Sequence, residues 1–120
     1  MKTLLLLFTL ALLLRENAIE TGIASYYGQH WTGRKTASGL TFYADSLTAA
    51  HKTLPFGTLV RVTNLKNDSV RVLKITDRLP KSSSRIIDVS YGSAKQLNFI
   101  RDGLAKVTVE VIDTATVIKD

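Results

Sequence analysis

The sequence predicts a mainly β fold, a small barrel or sandwich of short strands with one short helix. Three observations predict it. Thr58 to Leu65 and Ser69 to Thr76 both alternate and flank an Asn67-Asp68 turn, which is the pattern of a β-hairpin. Further short strand-like runs, Thr21 to Gly28, Arg85 to Val89 and Leu104 to Ile112, are separated by glycine- and serine-rich segments. Only one segment carries a helix start, Ser90, which can cap a helix through about Asn98.

Size and composition narrow the class. With 120 residues, 45% hydrophobic and 22% charged, the chain is one globular domain with a core of its own. There are no cysteines, which excludes a disulfide framework, a cysteine zinc site, a thiol nucleophile and a lipid-bearing cysteine. The net charge is +6, which suits an anionic envelope polymer or a membrane surface. The charges are scattered singly and no nucleic-acid motif is present, so nucleic acid is not an expected partner.

The N-terminus points to export. Lys2 precedes an apolar run from Leu4 to Leu14, too short to span a bilayer and of the length of a signal-peptide core. Residues 1–18 are expected to be a leader cut after Ala18, with an uncleaved anchor as the alternative. Without residues 1–20 two basic and two acidic side chains leave together, so the remainder stays at +6. The expected location is the periplasm or the extracellular envelope, without a membrane span and as a monomer.

Within the expected domain, residues 21–113, Tyr26, Tyr27 and Trp31 follow the first strand closely. They fit either a core or a platform for sugar rings. Gln29 to Gly39 is a loop without apolar periodicity, and its Arg34 could meet an anionic ligand or simply be solvated. Val60 and Val62 share one face of their strand; Val70 and Val72 share a face opposite Arg71 and Leu73. Val107, Val109 and Val111 alternate in the last strand, and residues 114–120 form a tail.

The candidate chemistry lies in Leu47-Thr-Ala-Ala-His-Lys-Thr-Leu-Pro-Phe-Gly57 and Ile75-Thr-Asp-Arg78. Small residues leave room beside the His51 ring, and Pro55 and Gly57 form a turn. Asp77 closes an alternating strand, and His51 and Asp77 are expected to meet across the barrel. An ordinary ion pair with Arg78 is the plainer role for Asp77, and a structural one for Asp88. His30, His51 and Asp77 have no metal-ligand spacing, so neither metal nor cofactor is expected.

These motifs, with Gly22-Ile-Ala-Ser-Tyr-Tyr-Gly28, Gly33-Arg-Lys-Thr-Ala-Ser-Gly39, Val62-Thr-Asn64 and Arg85-Ile-Ile-Asp-Val-Ser90, resemble rare lipoprotein A (RlpA-like) domains over residues 22 to 112. The resemblance implies a six-stranded double-psi β-barrel and endolytic peptidoglycan lytic transglycosylase activity on glycan strands poor in stem peptides. It places the family's catalytic residues on His51 and Asp77. Tyr26, Tyr27, Trp31, Arg34, Thr48 and Arg78 are the expected substrate contacts. The family's catalytic Glu is replaced by Leu40.

Lytic cleavage can proceed with one carboxyl group, because the muramic acid 6-hydroxyl of the substrate is itself the nucleophile. Hydrolysis with inversion would need two. Loss of one acid or base costs about 10²–10⁴-fold. A catalytically inactive, expansin-like glycan-binding barrel is therefore the alternative reading, and a secreted interaction or defence domain the third.

Overall fold

Six alternating segments close on themselves. The computed structural model describes residues 18–114. The strands are β1 (Ile19–Tyr26), β2 (Thr48–His51), β3 (Leu59–Asn64), β4 (Val70–Arg78), β5 (Ile87–Val89) and β6 (Ala105–Asp113). Around the barrel they run β1-β5-β2-β4-β3-β6. β1 and β5 are parallel, as are β2 and β4, and the other neighbours are antiparallel. Closure leaves no free sheet edge. Among the described residues, the mainly β barrel with one short helix expected from the sequence is the fold observed.

Alternation decides what fills the barrel. Ala24, Ala49, Val60, Val62, Leu73, Ile75, Ile87, Val89, Val107 and Val109 all point inward and are buried. The hairpin forms as expected, with Asp68 at φ 61° in the connecting turn, a conformation that Asp tolerates better than most residues. In β4 the inward face belongs to Leu73 and Ile75, so Val70 and Val72 lie on the exposed side.

The helix α1 (Tyr91–Gln96) begins where the serine signal put it. Ser90 Oγ accepts from the Ser93 N–H, and Ala94 and Leu97 are buried beneath. Gly92 packs against the backbone of Ala44 and Asp45, where an added Cβ would lie 2.9 Å from Asp45 Cα. That close approach ties the helix to the loop between β1 and β2, which roofs the site. Within this loop Gln29–Trp31 forms a single 3-10 turn.

Several boundaries differ from expectation. β1 starts at Ile19, because Glu20 and Thr21 already pair with β6. β5 is only Ile87–Val89, since the Ser-rich segment before it turns away from the ladder. The leader, apart from Ala18, and the tail, apart from Thr114, lie outside the described residues. Among the described residues no helix is long and apolar enough to cross a membrane.

Candidate active site

A β-bulge aims Asp77. Thr48 and Ala49 pair with Lys74 and Ile75, but Ala50 pairs with Asp77, so Thr76 is an extra residue in β4. Strict alternation from inward Ile75 would turn Asp77 inward as well. The inserted residue reverses that parity and brings Asp77 onto the outer face beside Ala50. Ala50 also pairs with Asp88, and Asp88 with Ser25. Ser25, Asp88, Ala50 and Asp77 thus form one row across β1, β5, β2 and β4.

Three donors fix the Asp77 carboxylate. Its Oδ1 accepts the backbone N–H groups of Ala37 and Arg78, both at 2.9 Å. Its Oδ2 accepts the Tyr27 hydroxyl at 2.8 Å. A carboxylate offers about four acceptor positions, so Oδ2 keeps one open. It opens on a hollow of about 290 Å³ whose walls include Tyr27, Trp31, Arg34, Lys35 and Phe42. Tyr27 stacks on Phe42 at 5.0 Å, and the Arg34 guanidinium sits 4.8 Å above the Trp31 ring. Trp31 is 39% exposed, which leaves an aromatic surface for a ligand.

The electrostatics of the row follow from burial. Tyr27 is pushed far above the ordinary tyrosine range by burial, then by its hydrogen bond to Asp77 and the charges of Asp77 and Asp88, so its hydroxyl remains a donor. Asp88 is raised above the usual carboxylate range by burial, with a smaller contribution from Asp77. The hydrogen bond from Ser25, at 3.0 Å, and the charge of Arg85 act against that rise.

His51 is elsewhere. It pairs with Ile87 and Arg78 and faces the opposite side of the sheet from Asp77. The residue is only 5% exposed. Its Nδ1 accepts the backbone N–H groups of Thr53 and Leu54, both at 3.1 Å. The proton therefore resides on Nε2, which donates to Glu20 Oε1 at 2.9 Å. The expected meeting of His51 and Asp77 does not occur; the two belong to neighbouring strands and separate hydrogen-bond networks. Glu20, assigned by the sequence reading to the stretch before the domain, is the actual partner of the ring. A lone acid has no signal of its own in a sequence.

The remaining expected contacts divide. Tyr27, Trp31 and Arg34 line the hollow with Asp77. Tyr26 is turned into the core, with its hydroxyl on the Ile100 carbonyl and its ring against Tyr91 and Phe99, which removes it from the substrate set. Arg78 packs over Phe56 at 4.2 Å and donates to the His51 carbonyl, so it braces the Pro-Phe-Gly turn. Thr48 lies with Leu40 and Lys74 on a second hollow that shares Phe42 with the first. Phe42 and the Ala37 N–H were missed, since both come from a loop without periodicity. Among the described residues no group of three or more metal-ligating side chains exists.

Known proteins resemble the chain closely. A family model described as lytic transglycolase matches residues 19–109. The endolytic peptidoglycan transglycosylase RlpA of Campylobacter jejuni is 48% identical over 76% of this chain and 33% of its own length. A probable endolytic peptidoglycan transglycosylase RlpA from Synechocystis is 46% identical over 78% of this chain and 29% of its own. The chain thus spans about a third of the length of these relatives. Among solved structures, the Clavibacter michiganensis expansin aligns with TM-score 0.64 at 17% identity, over 79% of this chain and half of that one. The Streptomyces papain inhibitor aligns with TM-score 0.64 at 22% identity, over 79% of this chain and 94% of that one. These two likenesses concern the barrel fold alone. By sequence, from β1 into β6, the chain belongs to the lytic transglycolase family and carries its RlpA-like double-psi β-barrel domain.

Proposed function

We propose that the protein is an endolytic lytic transglycosylase of peptidoglycan, acting in the cell envelope on glycan strands poor in stem peptides. The observation that carries this reading is Asp77, held by three donors at an aromatic-walled hollow with one acceptor position of Oδ2 open. Family membership supplies the reaction class.

The chemistry needs one carboxyl group. Asp77, protonated, gives its proton to the glycosidic oxygen, and the bond from that oxygen to C1 of muramic acid breaks. The 6-hydroxyl oxygen of the same sugar bonds to C1, and its proton returns to Asp77. A 1,6-anhydro end forms, no water is consumed, and the carboxyl group is restored. Tyr27 and the two backbone N–H groups hold the carboxyl in place throughout. Trp31 and Arg34 bind sugar. His51, by contrast, serves the turn that carries Phe56, over which Arg78 of β4 packs. Export of a monomer through the leader at residues 1–18 completes the proposal.

Incubation of the protein with peptide-free glycan tests it, with 1,6-anhydro ends detected by mass spectrometry. Wild type yields such ends and Asp77→Asn abolishes them. Products unaffected by Asp77→Asn would overturn the assignment. Leu40, standing where the family has an acid, favours a second reading in which the barrel holds glycan without cutting it. Retention on glycan without products would establish that reading instead.

A further inference from the structure

We propose that the second hollow is a saccharide subsite whose Lys74 reads a free carboxylate on the sugar next to the cleaved bond. The inference rests on the glycan reading above and adds the feature of the substrate that is recognised.

Position comes first. Thr48 and Lys74 are paired on the outer face of β2 and β4, just before the paired Ala50 and Asp77. The bulge at Thr76 keeps Lys74 and Asp77 on the same face despite their odd spacing. The hollow over Lys74 measures about 300 Å³, close to the 290 Å³ of the one at Asp77, and Phe42 is a wall of both. A chain of sugars crossing Phe42 therefore occupies the two hollows in succession.

Chemistry decides what the second hollow takes. Leu40 is 55% exposed and Tyr43 56%, large apolar side chains left on the surface, where they suit the faces of sugar rings. Among the described residues no acidic side chain lines this hollow, and Lys74 is its one cation. Lys74 is exposed and makes no ion pair among the described residues. A Glu at position 40 would share the hollow with Lys74 and offer it a partner; Leu40 leaves the ammonium to the ligand. Arg34 and Lys35 put further positive charge on the first hollow. The complementary ligand is a saccharide chain bearing carboxylates. In peptidoglycan the lactyl group provides one wherever the stem peptide is absent, since the peptide is joined there as an amide.

The test separates binding from turnover by using Asp77→Asn protein. Soluble peptide-free glycan oligomers are compared with the same oligomers after their lactyl carboxylates are converted to methylamides. Asp77→Asn should bind the free acid about three- to fivefold more tightly than the methylamide, the scale of an exposed ion pair. Adding Lys74→Gln should bring both ligands to the weaker affinity, and adding Lys74→Arg should retain the preference. A preference that survives Lys74→Gln, or equal binding of the two glycans by Asp77→Asn, overturns the role of Lys74 and leaves the glycan reading standing. Binding of neither glycan overturns both.

Discussion

Asp77 and Asp88 face the same side of the barrel from either side of Ala50, whose methyl group leaves the two carboxyl groups without a bulky side chain between them. One strand separates them, about 9–10 Å of backbone at the usual spacing of about 4.8 Å. Asp77 has three donors, whereas Asp88, also half-buried, has the Ser25 hydroxyl. Burial and the neighbouring Asp77 both disfavour ionisation of Asp88.

That asymmetry has a pH signature. The folded-state pKa of Asp88 is raised above its unfolded value, so its contribution to stability is fully present below the unfolded pKa and is lost as pH rises through the folded one. At neutral pH its charge opposes folding. Asp88→Asn should therefore raise the melting temperature at pH 7, by about 4–8 °C for each kcal/mol relieved in a domain of this size. The gain should vanish toward pH 3. Thermal melts across pH 3–8 check this, and equal or lower stability of the variant at pH 7 would contradict it.

Tyr27→Phe should leave the fold intact, because the ring keeps its stack on Phe42, and remove only the donor to Asp77 Oδ2. Hydrogen bonds to charged groups are worth about 1.5–3 kcal/mol, so kcat should fall about 10- to 100-fold. KM should change little, since the hydroxyl is engaged with Asp77 and not offered to sugar. Steady-state rates of anhydro-end formation measure both constants.

His51→Ala separates two roles for the ring. If it organises the turn, two backbone N–H groups lose their acceptor and a buried space opens, at a cost of about 2–4 kcal/mol. Urea titration should show a lowered midpoint with an unchanged slope. Glu20→Gln should cost less, because an amide oxygen can still accept from Nε2. A His51→Ala protein of full stability whose kcat had dropped 10²–10⁴-fold would instead place the ring in the proton transfer.

The barrel was legible because its determinants are local. Val60 and Val62, the Asn67-Asp68 turn and the Ser90 cap each declare themselves within a few residues. The site was legible only in part. Tyr27, Trp31, Arg34 and Asp77 do converge, but the pairing of His51 with Glu20 spans 31 residues and joins strands that are not neighbours in the ring order. The parity of Asp77 was likewise hidden. A bulge exists only against its partner strand, and nothing in Ile75-Thr76-Asp77 marks Thr76 as the extra residue. Tyr26 and Tyr27 show the same limit, adjacent tyrosines of which alternation sends one to the core and one to the site.

Leu40→Glu is the substitution on which catalysis and recognition pull apart. Leu40 lines the hollow that contains Lys74 and Thr76, next to the one over Asp77. A carboxyl group there restores the acid the family carries and can share the proton work, which typically contributes about 10²–10⁴-fold; kcat should rise toward that range. The same carboxyl group also sits beside Lys74 and repels the acid of the substrate, so KM for peptide-free glycan should rise as well. Kinetics of wild type and Leu40→Glu on free-acid and methylamidated glycan resolve the two effects. The increase in KM should be confined to the free acid, and the increase in kcat should appear with both. An unchanged kcat would mean that position 40 takes no part in moving the proton, leaving Asp77 as the sole acid and base.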